Sequence, residues 1–577
     1  MNPLRATTFS ALSTGFRPIP IIPVSLCFSV FLFLSGLTQG FLWHAFDRRS
    51  TISWRKNMLP ADLALLNGNV RTMNQAQPVA QAVAISGNKI LKVGSDEEVR
   101  GLIKKHTKII DLGGKTVVPG LIDTHIHVAD FGRCLLWLDL TPAESISQLQ
   151  SLLQDKSTRT PAGKWIIGRG WNETRFKENR LPNVSDLDEA SPNNPVILYR
   201  EAAMVCVANS KAIDLAGVTE QTAVPSGGVI DKSLRTGKLT GIFRDTATSL
   251  IWQTVPEPTS NELVEASALA CQKIAEAGIT SIHWILISQG ELGIVQRLEA
   301  EGKLPVKVNV ILPFEFLSEM ERFNSTNPSM LHVGGVFIAT DGYLDSKTAA
   351  LIQPYSDDPD NNGKMLLTEQ EIMSSVAQIL GLGLQPVIHA MGDKAIETTL
   401  KVIEQTNLSA RVRFRMEQAA VLNTNLIKRL KTCGVTVTVQ ATVIETEFAV
   451  WSAQTRLGMG RARLLHPLKT LLDAGVKVAG GSDCPMEPLS PLLGMQEAVS
   501  RASFPEQRLT VEEALRMYTA DAAYCSGEEK VKGTIEDGKL ADLTVLSQDP
   551  FTSATEKIKD ISVEITIING KPFSTNN

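Results

Sequence analysis

Two histidines one residue apart, His125 and His127, close the run Val117-Val-Pro-Gly-Leu-Ile-Asp-Thr-His-Ile-His127. On an extended strand, residues two apart point the same way, so the pair aims two imidazoles at one point. Two converging imidazoles suit a borderline divalent ion such as zinc. The bare pattern is common, and two exposed or capping histidines would give the same spelling. The setting favours metal, because Pro119-Gly120 ends the preceding apolar segment and the pair falls where a strand should finish. His389 ends a second apolar strand in Pro386-Val-Ile-His389, just before a turn at Gly392. Asp483 ends a third, after Gly480-Gly481. An aspartate there can bind a metal and take the proton of its water, or it can cap the turn that follows. With only eight histidines in the chain, any metal site draws on a short list.

The strand ends need a scaffold. Candidate strands are Ile279–His283, Val306–Leu312, Gly335–Thr340, Gln385–His389, Val412–Met416, Val435–Gln440 and Val476–Gly480. Helical stretches such as Glu262–Glu276, Thr368–Leu380 and Asn425–Lys431 separate them. With the segment leading into His125 there are eight. Continuously apolar strands alternating with helices predict a parallel sheet, and eight predict a closed TIM-type (β/α)8 barrel with its active site at the C-terminal strand ends. Asp130 to Pro258 does not follow the repeat and is expected to be an insertion, at about 130–258, over the barrel mouth. Short strands and turns occupy both ends: Asp62–Asn67, a hairpin about Gly87-Asn88, Lys108–Asp111 and Thr116–Val118 at one, Ala541–Leu546 and Val563–Ile568 at the other. They predict a composite β-sandwich from residues 58–118 and 530–577, enclosing a barrel domain over 119–529.

The 577 residues suffice for such a barrel with additions. A net charge of −4 and the lack of a basic patch exclude a nucleic-acid surface. Seven cysteines, an odd count without a CxxC pair, argue against a disulfide framework or zinc ribbon. Residues 18–46 lack charge and are long enough to span a membrane. Three readings of residues 1–57 stand open: a membrane anchor, a secretory signal, or a start placed too early, with Met58 as the true one. The first makes the protein membrane-anchored and the last makes it cytoplasmic.

From Asp62 to Gly570 the chain resembles the amidohydrolase superfamily, in particular its amidohydrolase-3 (YtcJ-like) branch. The resemblance rests on Pro119-Gly-Leu-Ile-Asp-Thr-His-Ile-His127, Gly168-Arg-Gly-Trp-Asn172, Asn209-Ser210, Pro225-Ser-Gly-Gly228, Asp341-Gly342 with Thr348-Ala-Ala-Leu351, His389-Ala-Met-Gly-Asp393, Gly481-Ser-Asp483 and Gly538-Lys-Leu-Ala-Asp542. It implies a distorted (β/α)8 barrel with a composite β-sandwich, and hydrolysis of carbon–nitrogen bonds in small amides by a metal-activated water. Homodimers are common in the family.

Some positions depart from the family pattern. Glu417-Gln418 stands where the branch has Glu-His, Phe337 where a carboxylated lysine often bridges two metals, and Ala202-Ala203-Met204 where it has Asp-Gly-His. Glutamine is a poor zinc ligand and no proton carrier near neutral pH. The remaining set, His125, His127, His389 and Asp483, resembles the one-metal arrangement of the deaminase relatives. The expectation is one divalent metal, zinc first, with Asp483 as general base and Gln418, His283 and Trp171 contacting a small-molecule substrate. Glu417 is expected either to support the site or to pair with Arg413 or Arg415, and His332 and His466 to be surface or capping residues. A deaminase, or a catalytically degenerate member with a binding role, is the alternative.

Overall fold

The structure is a computed structural model that describes residues 60–201, 205–406, 413–449 and 452–574. Eight strands form one parallel sheet: β1 (Leu121–Ile126), β2 (Ile279–Ile285), β3 (Lys307–Pro313), β4 (Leu331–Ala339), β5 (Gln385–Ala390), β6 (Arg415–Gln418), β7 (Thr436–Val439) and β8 (Lys477–Gly480). Each pairs with its successor, and every residue of β1, β2 and β3 is buried, as expected of strands covered on both faces. The sheet nearly closes into a barrel. Across the gap between β8 and β1, the Thr124 hydroxyl donates to Gly480 O at 2.9 Å and Asp483 N–H to His125 O at 2.7 Å. His127 N–H donates to Cys484 O at 3.0 Å. The barrel therefore closes through the residues expected to do its chemistry.

The intervening helices begin where side chains satisfy their free N–H groups. Ser260–Glu276 opens with a reciprocal capping box between Thr259 and Glu262, and Glu369–Gly381 with one between Thr368 and Glu371. The β6 strand begins at Arg415 rather than Val412, and Val412 itself lies outside the described residues.

Both ends of the chain build the smaller sheets. One has four strands, in the order Lys89–Gly94, Ala82–Ser86, Leu63–Leu66 and Lys108–Asp111. The other has six, in which Leu543–Leu546 from the C-terminal end pairs antiparallel with Thr116–Pro119 from the N-terminal end. Leu65, Val83, Ile85, Val117, Leu543, Val545 and Ile567 fill one core between them. Thr116–Pro119 runs into β1 with only Gly120 between, so this sheet sets where the first barrel strand starts and hence where it delivers its histidines. Residues 138–245, between β1 and β2, form a six-stranded mixed sheet of their own.

Among the described residues no helix is long and apolar enough to cross a membrane, and residues 1–57 lie outside the described residues. The six described cysteines are free.

Candidate metal centre

His125 is the fifth residue of β1, and His127 caps the start of the helix Val128–Leu136. Asp483 lies three residues past β8 with φ of 57°, a left-handed conformation that costs a non-glycine residue about 1–3 kcal/mol. Its N–H bond to His125 O holds it there. One ligand atom from each of the three lies within 4.8 Å of the others. Asp483 Oδ1 is 3.5 Å from His125 Nε2 and 3.3 Å from His127 Nε2.

Both rings are oriented from behind. His125 Nδ1–H donates to Glu417 Oε2 at 2.7 Å, and His127 Nδ1–H donates to Ile285 O at 3.0 Å. With both Nδ1 atoms acting as donors, both Nε2 atoms present lone pairs toward the Asp483 carboxylate. Three lone-pair donors facing one another without a shared proton fit a divalent cation, and the oxygen acceptors behind them are the outer partners such ligands need.

The charges of the three groups are linked. Burial pushes the Asp483 carboxyl up, but the neighbouring His125 and His127 outweigh it and leave it below its usual range. Burial pulls the His127 imidazole down, and the Asp483 carboxylate and Ile285 carbonyl more than reverse that. Glu417 is fully buried, which opposes its charge, yet Arg415 and the His125 hydrogen bond bring its pKa down to about 2.

Behind Glu417 runs a buried chain. Arg415 donates from Nε to Glu417 Oε1, from Nη2 to Thr124 O, and from Nη1 to His283 Nδ1 at 2.7 Å. A guanidinium can only donate, so His283 Nδ1 is the acceptor and its Nε2 carries the proton. Burial and the Arg415 charge together hold the His283 imidazole neutral, its pKa well below the usual value.

His389 stands at the end of β5, outside the group of three. Its Nε2 lies 3.3 Å from Gly342 O, and its ring packs 5.2 Å from Tyr343 and 6.3 Å from Phe337. Since a carbonyl only accepts, Nε2 is protonated in this pose, and Nδ1 carries the ring's lone pair. Gln418 is buried, at φ of 68°, with no partner for Oε1. His283 is fully buried against Arg415 rather than open at the strand ends. Trp171 is also fully buried; its Nε1–H donates to Leu198 O within the core of the inserted sheet, which leaves it no face for a substrate. His466 is neither exposed nor a cap: it is fully buried, with Nε2 2.9 Å from Glu447 Oε2. Ala202, Ala203 and Met204 lie outside the described residues.

Two supporting residues were not placed at the site by the sequence, although Arg415 was named as a possible partner of Glu417. Arg415 had a signal, since Arg413, Arg415 and Glu417 alternate on one strand and a charged residue facing a barrel interior needs a partner. Asp341 had less. Its carboxylate accepts Ala350 N–H at 2.9 Å, Met391 N–H at 2.9 Å and Gly392 N–H at 2.8 Å, tying the loop after β4 to the loop that follows His389. Burial raises its pKa against those three bonds and the nearby His389.

An eight-stranded parallel barrel with a His-His-Asp cluster at the junction of its first and last strands defines a class of metal-site TIM barrels. The model of the amidohydrolase family matches residues 108–573, and the chain belongs to that family. The putative amidohydrolase YtcJ of Bacillus subtilis (strain 168) is 32% identical over 454 residues, covering 76% of this chain and 85% of YtcJ. The N-substituted formamide deformylase of Arthrobacter pascens is 29% identical over 535 residues, 88% of this chain and 97% of that enzyme. Among solved structures, a metal-dependent hydrolase from Pyrococcus furiosus aligns with a TM-score of 0.70 and 28% identity, over 85% of this chain and all (100%) of that one.

Proposed function

We propose that this protein hydrolyses a carbon–nitrogen bond, other than a peptide bond, in a small amide-type substrate, using one divalent metal, zinc first. The observation that carries the reading is the convergence of His125 Nε2, His127 Nε2 and Asp483 Oδ1 with both imidazole tautomers fixed from behind. These three residues would hold the cation, with His389 as a fourth donor through the ring nitrogen that carries its lone pair. A bound divalent ion supplies Lewis acidity and brings a water into the titration range near pH 7. Asp483 Oδ2, without a hydrogen-bond partner among the described residues, takes the proton of the attacking water and returns it to the leaving amine. Gln418, unable to move a proton, orients the substrate through its free Oε1.

The test is elemental analysis of the purified full-length protein, with assays on N-formyl amines, other N-acyl amines, cyclic amides and amidines. About one metal per chain, lost in His127→Ala together with hydrolysis, is expected. A well-folded protein that takes up no metal would overturn the reading. Gln418 and Phe337, which stand where the branch carries a histidine and a lysine, favour a second reading in which the fold binds a ligand without turnover. Metal uptake with saturable binding but no hydrolysis of any panel member would establish that one. Release of ammonia from an amidine or aminated ring alone would indicate a deaminase.

A further inference from the structure

Among the described residues, the Asp341 carboxylate meets three backbone N–H groups and one ionisable side chain. Its Oδ2 accepts Ala350 N–H at 2.9 Å and Gly392 N–H at 2.8 Å, and its Oδ1 accepts Met391 N–H at 2.9 Å. A carboxylate offers about four lone-pair sites. The three bonds leave one site open, and it is on Oδ1. That same oxygen lies 3.8 Å from His389 Nε2, the one ion-pair neighbour of Asp341 among the described residues. The Asp341 side chain is fully buried, so water does not answer its charge, and a buried carboxylate calls for a positive partner.

Consecutive residues after β4 hold the two groups at this separation. Thr340 donates to His389 O from its N–H at 3.0 Å and from its hydroxyl at 2.7 Å. Asp341 holds the N–H groups of Met391 and Gly392. Gly342 O meets the His389 Nε2–H at 3.3 Å, a long hydrogen bond. Gly392 lies so close to the loop after β4 that an added Cβ would fall 2.0 Å from Ala350 O. The backbone is therefore fixed on both sides of His389, and its ring is the part left to adjust.

We propose that Asp341 is the positioning carboxylate of His389, taking its Nε2–H when Nδ1 binds the cation, as Glu417 takes the Nδ1–H of His125. The inference rests on the metal reading and adds to it a ligand atom and an outer partner. A cation on Nδ1 makes the opposite N–H a more positive donor, and a carboxylate answers that charge better than a carbonyl does. A turn of the ring exchanges the long contact with Gly342 O for the open site on Asp341 Oδ1. With the ring neutral, the weaker carbonyl contact is enough. Asp341 then contributes to cation affinity through His389, beyond what it contributes by joining two loops.

The test reads the ring directly. Full-length protein, isotopically labelled at its histidine nitrogens, is titrated with zinc and followed by NMR, with the His389 signals assigned by their loss in His389→Ala. Nδ1 is expected to move to the position of a metal-bound nitrogen while Nε2 keeps its proton. A zinc-bound Nε2, or a His389 that does not respond to zinc taken up elsewhere, overturns the pairing and leaves the three-residue site standing. Chelator competition then compares zinc affinity in the unsubstituted protein, Asp341→Asn, His389→Ala and the double variant. Asp341→Asn is expected to weaken zinc binding about 10- to 100-fold, and to add no loss once His389 is gone. A purely structural role would weaken both backgrounds equally, and that result overturns the proposal. Should Asp341→Asn fail to fold, the titration of the unsubstituted protein decides. A folded, unsubstituted protein that takes up no zinc sinks the metal reading itself, and the pairing with it.

Discussion

His125 and Glu417 meet at 2.7 Å, Nδ1 to Oε2, with neither side chain more than 7% exposed. The contact does two things. It fixes the tautomer that points the Nε2 lone pair at Asp483, and it places a carboxylate between a proposed metal ligand and the fully buried Arg415. Glu417 thus joins both roles expected of it, site support and ion pair with Arg415, and one side chain performs them together.

Glu417→Gln keeps an acceptor for His125 but removes the charge opposite Arg415. Breaking a buried pair by neutralising one partner costs about 3–5 kcal/mol, and losing an outer partner of a metal-site histidine lowers metal affinity about 10- to 100-fold. Urea denaturation of the metal-free protein and chelator competition on the loaded protein measure the two effects. Stability and affinity both within error of the unsubstituted protein would remove Glu417 from the site.

The same pair sets an acid limit. Glu417 has a folded-state pKa of about 2 against an ordinary 4.5. A depressed carboxyl pKa gives stability that is complete above the unfolded value and is lost as pH falls through the folded one. The metal-free protein is therefore expected to lose stability progressively between about pH 4.5 and pH 2. Glu417→Gln should be less stable at pH 7 and show a shallower fall across that window. Parallel pH–stability curves for the two proteins would contradict this.

The sequence made the barrel legible because period and composition report burial directly. β2, β3, β5, β7 and β8 lie within a few residues of their apolar runs, and the helices at Ser260 and Glu369 start at visible capping boxes. His125, His127 and Asp483 were legible because strand ends in such a barrel converge. What failed was assigning a partner. Trp171 looked like a pocket wall, but its indole N–H is satisfied by Leu198 O inside the inserted sheet. His283 looked like a substrate contact, yet Arg415, 132 residues away in sequence, takes its Nδ1. Such pairings depend on which side chains share a layer inside the barrel, and one strand's spelling does not encode its neighbour's layer.

His389 separates the three-residue cluster from the four-residue set. If His125, His127 and Asp483 carry the cation, His389→Ala should still bind one metal per chain, about 10- to 100-fold more weakly, whereas His127→Ala should bind none. Titration with zinc under chelator competition distinguishes them. Equal and complete loss in both would make His389 an obligatory ligand, and no change in His389→Ala would leave it only its contact with Gly342 O.

Gly481 offers a test of how closely the barrel seam governs the site. It lies between β8 and Asp483, and a Cβ built there would fall 2.7 Å from both the Cβ and the backbone N of His125. Neither atom can swing away, since His125 sits in β1 and its carbonyl accepts the Asp483 N–H. Gly481→Ala must therefore push β1 and the loop after β8 apart. Overpacking of this kind costs about 1–3 kcal/mol, small enough for the protein to fold. The displacement falls on two of the residues proposed to hold the ion, so metal affinity should drop by far more than stability does. A folded Gly481→Ala protein with undiminished zinc affinity would show that His125 and Asp483 are not held together by this seam.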